Sequence, residues 1–324
     1  MSLTIYKDTI TNRNTKFEKL VLKTQEEMKE YVKNRLKNRI SSRGKVVSGD
    51  GYVFYKGTFP VLLCAHMDTV HKALPKTLVY ANGTLSSPQG IGGDDRCGIY
   101  MIFKILKKYD CSVVFLEDEE IGCVGAKKFV NSKECKELNG QLKYIIEFDR
   151  KGNNHAVTYD CDNKEFDNFI TKEFFKKEHG TCSDISYIAP ELEVAAVNLS
   201  CGYYKEHHLE EWVNLAEMER VIVEAMKILE RTKEIEEPFK YIKSKNSYLY
   251  GYGGYRNSGY SYGFDYDDYY YNCGNNRYRV RYKNKIGLIT TIISADTRAE
   301  AYYEFFKTYQ DICYKNVVSV EKII

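Results

Sequence analysis

From residue 60 to residue 149 short apolar runs alternate with longer amphipathic ones: PVLLCAH, CGIYMIFKILKKY, CSVVFLE, GAKKFVNSKEC and LKYIIEFD follow one another. The short runs read as strands and the longer stretches between them as helices. The pattern predicts an α/β fold, a mixed, mainly parallel sheet sandwiched by helices.

The flanks extend this architecture. Residues 16–38 space Phe17, Leu20, Val21, Met28, Tyr31, Val32 and Leu36 at near-helical intervals, which predicts one amphipathic opening helix. KVVSGDGYVFYKG reads as a hairpin turning at SGDG. Downstream, KEFDNFITKEFFKKEHG reads as a helix, EVAAVNLS as an apolar strand and NLAEMERVIVEAMKILERTK as a helix near 214–233. A catalytic domain is therefore expected over residues 1–235.

The composition then shifts. SYLYGYGGYRNSGYSYGFDYDDYYYNCGNN has hardly any aliphatic residue and cannot build an ordinary core alone, so residues 236–283 read as a Tyr/Gly-rich linker, with a self-associating segment as the other reading. Residues 284–324 run strand, helix, strand, with Asp296 or Thr297 placed to cap the helix. Such a small βαβ-like appendage is marginal by itself and is expected to dock on another surface or to support a homo-oligomer through the C-terminal region.

A chain of 324 residues can bury a large core. With 48 basic and 45 acidic residues the net charge is only +3, which calls for neither nucleic acid nor an anionic membrane as partner. No apolar run approaches the roughly 20 residues of a membrane helix. The opening MSLTIYKDTITNRN lacks the pattern of a signal peptide, so a soluble, cytoplasmic protein is expected. The ten cysteines are scattered without a CxxC pair and are expected to be reduced thiols.

Five short blocks carry the chemistry. In Ala65-His66-Met67-Asp68 a histidine is followed two residues later by a carboxylate able to fix its orientation, although HxD alone also describes a strand-end His beside a turn Asp. Gly92-Gly93-Asp94-Asp95-Arg96-Cys97-Gly98 leads into a helix. It has no GxxxxGK[ST] signature, and adjacent aspartates repel phosphate, so a cation suits it better, with a solvated acidic turn as the alternative. Glu117-Asp118-Glu119-Glu120 closes a strand with four consecutive acids, costly unless solvated or bound to cations. Ile145-Ile146-Glu147-Phe148-Asp149 is an apolar strand ending in an aspartate, and His207-His208 precedes Glu210-Glu211-Trp212. Ligand sites of open α/β sheets gather beyond the carboxyl ends of the strands, where most of these blocks would lie.

In this order the blocks AHMDTV, GGDDRCG, EDEEIGCVGA, IIEFD and HHLEEWV resemble those of the di-zinc exopeptidases and amidohydrolases, the group that includes peptidase T, carboxypeptidase G and the glutamyl and leucyl aminopeptidases. The blocks span 66–213, about two-thirds of the chain with their flanks. The resemblance implies the zinc-exopeptidase fold and two divalent metal ions, zinc first, with cobalt or manganese acceptable to the same donors. It implies His66 and Asp149 on one ion, Glu120 and His207 on the other, and Asp94 between them. Asp68 would orient His66 and Glu119 would be the general base. Asp94 is preferred to Asp95 because the family's bridging residue is the first Asp of its turn, and His207 to His208 because the family's ligand lies four residues before its acid-aromatic pair.

Two cations about 3.5–4 Å apart need a bridging carboxylate, mixed nitrogen and oxygen ligands, and an open position for water. No G-x-S-x-G elbow competes with this reading. Many relatives insert a lid of roughly a hundred residues, but the intervals 66–94 and 149–207 are too short for one, so the chain resembles the lidless aminopeptidase branch. Arg96, Arg150 and Asp184 are candidate contacts for a substrate terminus, with structural pairing, capping or loop roles as the alternatives. An aminopeptidase-like enzyme acting on small peptides is expected. An N-acyl amino-acid deacylase with the same site, or a non-catalytic assembly protein on this scaffold, are the alternatives.

Overall fold

The computed structural model describes residues 3–39, 45–244, 276–284, 287–295 and 316–323, together with Arg298, Ala301, Phe305, Thr308 and Tyr309. In chain order the first half contains β1 (Thr4–Lys7), α1 (Thr15–Val21), α2 (Gln25–Arg39), β2 (Val46–Gly49), β3 (Tyr52–Tyr55), β4 (Phe59–His66), β5 (Thr77–Ala81), β6 (Thr84–Ser86), α3 (Gly93–Ile105), β7 (Cys111–Leu116), α4 (Val124–Val130), α5 (Lys133–Lys136) and β8 (Tyr144–Arg150). There follow β9 (His155–Val157), α6 (Lys164–Thr171), β10 (Lys176–Lys177), α7 (Ile185–Leu192), β11 (Ala196–Ser200), β12 (Tyr203–Tyr204), β13 (Trp212–Asn214) and α8 (Leu215–Arg231), and then β14 (Asn276–Asn284), β15 (Gly287–Ala295) and β16 (Val317–Lys322).

The main sheet has the order β10-β9-β11-β8-β4-β7-β3-β2. Its centre, β11-β8-β4-β7, is parallel, and β3 and β2 extend it antiparallel. The apolar runs are nearly unbroken because both faces are covered. In β4, Val61, Leu63 and Ala65 enter the core beneath α1, α2, α3 and α8, whereas Leu62 and Cys64 enter the one beneath α4, α5 and α7. This is the period of two that a strand imposes, and each fully buried Val or Leu side chain among them contributes about 1.5–3 kcal/mol. The mixed α/β sandwich read from the sequence is the fold observed.

The opening helix is not continuous. It breaks between Val21 and Gln25, where Thr24 and Glu27 exchange hydrogen bonds at 3.2 and 3.0 Å in a capping box that starts α2. The hydrophobic spacing is in phase across the break, so periodicity alone could not show it. The eight described cysteines are free thiols.

The boundaries 236–283 for a linker and 284–324 for a βαβ-like appendage need correction. Residues up to Ser244 lie along the large α/β unit: the Phe239 carbonyl accepts the Ala195 N–H at 2.8 Å, the Phe239 N–H reaches Lys143 O at 3.0 Å, and the Phe239 ring packs against Phe166 and Phe169. At the other end β14 begins at Asn276 and is the central strand of a three-stranded sheet, antiparallel to both β15 and β16. Tyr278, Val280 and Tyr282 point inward on alternate positions, a strand signal hidden by the tyrosine-rich composition. This module packs through those residues and Val320 against Val79 and Ala81 of β5, so its apolar face is covered by its own chain. The rest of the proposed linker, 245–275, and the proposed cap at Asp296 or Thr297 lie outside the described residues. No described helix is long and apolar enough to cross a membrane.

Candidate metal centre

Neighbouring parallel strands bring the first residues together. His66 ends β4, Asp149 is the penultimate residue of β8, and Glu119 and Glu120 follow β7 on the other side of β4. Asp94 stands at the entry to α3, where Asp94 and Asp95 have non-helical backbone angles and the peptide between them is cis. His207 comes from the loop between β12 and β13 and adopts φ 63°.

Asp94 is central. Its Oδ1 lies 3.0 Å from His66 Nε2 and its Oδ2 3.4 Å from His207 Nε2, one oxygen for each imidazole. His66 Nε2 is also 3.3 Å from Asp149 Oδ1, and His207 Nε2 is 3.0 Å from Glu120 Oε2. The five side chains thus form two sets, His66 with Asp149 and His207 with Glu120, that share Asp94. Asp95 also comes close to His66 and Asp149. Its oxygens, however, accept the backbone N–H groups of His66 at 3.2 Å and Gly98 at 2.9 Å, which joins the start of α3 to β4.

The donor set fits cations. Glu120 Oε1 is buried with no hydrogen-bond partner. Burial, aided by Asp94, pushes Glu120 up to about 7. Burial likewise pushes Glu119 up to about 9, with Asp149, Asp184 and Glu120 adding to the shift. Asp149 is raised by burial and by Asp94. Asp94 is held low, because hydrogen bonds from His207 and His66 outweigh its burial. His207 is raised to about 11 by Asp94 and Glu120. Acids crowded until they retain protons are a site at which positive charge is strongly favoured. Two imidazoles and three carboxylates are also donors that divalent zinc, cobalt or manganese accept.

Other residues hold these in place. Asp68 accepts from His66 Nδ1 at 3.1 Å and from the backbone N–H groups of Glu119 and Glu120 at 3.1 and 3.0 Å, so it fixes an imidazole and the acidic loop together. Of the four consecutive acids, Glu117 turns to Lys29 of α2 at 2.5 Å and Asp118 to Gln25 at 2.9 Å, leaving Glu119 and Glu120 to the site. Asp149 is held by Ser183 Oγ at 3.0 Å and Tyr203 Oη at 3.2 Å, and its backbone is paired with Asn198.

Arg96 is buried, and its guanidinium donates to the carbonyls of Met67, Asp68 and Lys23, a structural role. Arg150 donates to the carbonyl of His179 at 3.1 Å. Asp184 stands before α7 without capping it through its side chain, and burial raises its pKa well above the carboxylate range.

Two residues went unnoticed in the sequence. Glu211 accepts the N–H groups of Gly92 at 2.9 Å and Asp94 at 2.8 Å, and His71 Nε2 stands 2.7 Å from it. In the sequence Glu211 serves only as part of the acid-aromatic pair that locates His207, and the short strand after it, Trp212–Asn214, has no apolar run to mark it as buried. His71, in a loop without periodicity, gave no signal.

No family model matches the sequence, and no curated protein matches it by sequence. Among solved structures the chain is similar to aminopeptidase PepT from Bacillus cereus, at 14% identity with a TM-score of 0.51 over 66% of this chain and 96% of that one. It is also similar to a tripeptidase from Staphylococcus aureus, at 13% identity with a TM-score of 0.46 over 68% and 97% of the two chains. A third is a Zn-dependent exopeptidase from Parabacteroides distasonis, at 11% identity with a TM-score of 0.45 over 66% and 94%. At such identities the likeness is one of fold, and the mixed α/β architecture is that of the Bacillus cereus enzyme.

Proposed function

We propose that this chain is a two-metal exopeptidase of the aminopeptidase kind, hydrolysing amide bonds in short peptides. The observation that carries the proposal is the placing of Asp94 between two imidazoles, each of which is completed by a further carboxylate. His66 and Asp149 would hold one ion, Glu120 and His207 the other, and Asp94 both. Bound there, two divalent cations, zinc first, would polarise the scissile carbonyl and make a water molecule more acidic.

The chain's own residues supply the rest. Glu119 accepts the proton of the attacking water on its carboxylate and returns it to the leaving amine. Burial raises its pKa above the ordinary carboxylate value, and two cations beside it would favour the charged carboxylate that a base requires. Asp68, by accepting Nδ1–H from His66, orients the ring so that Nε2 would face an ion held with Asp94 and Asp149. The half-exposed His207 leaves one side of the site open to substrate.

The choice of a peptide over another amide rests on the aminopeptidase that shares the fold. A panel of dipeptides, tripeptides and N-acyl amino acids, assayed with metal analysis of the purified protein, tests it. Two divalent ions per chain and release of amino-terminal residues are expected. Turnover of acyl amino acids alone would make the enzyme a deacylase. Absence of stoichiometric metal together with unchanged hydrolysis by Glu119→Gln would refute the proposal.

A further inference from the structure

Glu211 joins the two parts of the site that no strand fixes. The ligands His66 and Asp149 sit at the ends of paired strands, but Asp94 stands in a turn and His207 in a loop. Glu211 ends the His207 loop, four residues on, and its carboxylate grips the Asp94 turn from within the protein. Oε1 accepts the Asp94 N–H and Oε2 the Gly92 N–H, while His71 Nε2 donates to Oε2. The Glu211 side chain is fully buried and that of His71 is 4% exposed, so water offers these groups no substitute.

The fit around them is tight. A Cβ at Gly93 would come within 3.0 Å of Glu211 Oε1 and 2.7 Å of Val213 Cγ2, and one at Gly90 within 2.2 Å of the His71 ring. The turn therefore lies directly against the dyad, and charge-assisted hydrogen bonds of this kind are short and strongly directional.

We infer that Glu211, oriented by His71, is a positioning residue that fixes Asp94 and His207 relative to one another and so sets the affinity of the ion that His207 and Glu120 would hold. This rests on the two-metal reading above. Replacing the carboxylate orphans buried N–H groups in the turn and frees the loop, while the His66 and Asp149 pair keeps its strand anchors. Asp94 would bind both ions, so the His66 ion is weakened slightly too, but the loss should fall mainly on the ion that His207 and Glu120 would hold.

The test is calorimetric titration of chelated protein with zinc alone, for the wild type, Glu211→Gln, His71→Ala and His71→Gln, with melting curves of each chelated variant. Supporting residues of metal ligands are typically worth about 10–100-fold in affinity. Glu211→Gln is expected to weaken one of two zinc-binding events by that amount and the other by less than about threefold. Its kcat should recover as zinc is raised. His71→Ala should weaken the same event by about tenfold, and His71→Gln, which retains a donor, should restore most of it. Unchanged zinc affinities in Glu211→Gln and His71→Ala would overturn the inference. So would equal weakening of both events in step with a lowered melting temperature, the mark of a merely structural residue. A wild type that binds fewer than two ions would instead overturn the two-metal reading, and this inference with it.

Discussion

The two halves of the candidate centre are built differently. The His66 half is made of strand ends: its imidazole side chain is 1% exposed and contacts Asp68, Asp94 and Asp149. The His207 half is made of a loop: its imidazole is 47% exposed, its backbone has positive φ, and its position depends on residues around it. The carboxyl end of a packed sheet fixes ligands through the same packing that folds the protein, whereas a loop must be tied down by dedicated polar contacts. Glu211 ties it from the inside. On the outside Glu210 receives Lys205, Lys322 at 3.6 Å and Tyr278 Oη at 3.2 Å, which links the loop to the C-terminal module.

The largest expected effect lies where the halves meet. Glu119→Gln should lower kcat on a peptide substrate by about a thousandfold, as removal of a general base does, while metal analysis still finds both ions. Loss of metal from this variant would make Glu119 a ligand and redraw the halves.

Alanine at each histidine then separates them. His66→Ala strips a buried partner from Asp68, Asp94 and Asp149, and should cost about 3 kcal/mol of stability in chemical denaturation along with both ions. His207→Ala should lose one ion, keep the other and lower the melting temperature of the chelated protein by clearly less than His66→Ala does, since its imidazole is half exposed. Equal destabilisation by the two would erase the contrast between strand and loop.

Acidity offers a third test. Glu119 at about 9, Glu120 at about 7 and His207 at about 11 all retain protons in the fold that the unfolded chain, with carboxyl and imidazole values of 4.5 and 6.5, has released. The folded state then binds more protons across roughly pH 5–9, so the stability of the chelated protein falls as pH rises through that window. Asp68, held low by His66 against its burial, and Asp94, held low by both histidines, oppose this only below their ordinary carboxyl value of 3.8. Thermal melts from pH 5 to pH 9 should show a declining Tm that added zinc flattens, because binding requires deprotonated ligands. A rising Tm would mean the acids are not crowded as described.

The smallest effect belongs to the outer tie. Glu210→Ala should raise KM by no more than a few-fold and cost under about 1 kcal/mol, since exposed ion pairs contribute little.

The strand-borne half was the more legible in the sequence. His66 and Asp149 follow apolar runs whose two-sided burial is written in their composition, and the acids after β7 stand out because four carboxylates in a row need an explanation. Asp94 and His207 required the order of all five blocks, since a turn and a loop have no periodicity of their own. The partners that hold them, Glu211 and His71, are 140 positions apart and meet only through the fold. In the C-terminal module, the alternation of Tyr278, Val280 and Tyr282 was masked by a stretch rich in tyrosine, so a central strand read as linker.

Anomalous diffraction from crystals of the zinc-loaded protein tests the central claim most directly. Two peaks about 3.5–4 Å apart, one beside His66 and Asp149 and the other beside Glu120 and His207, with the Asp94 carboxylate between them, are predicted. A single peak, or a pair not spanned by Asp94, would contradict it.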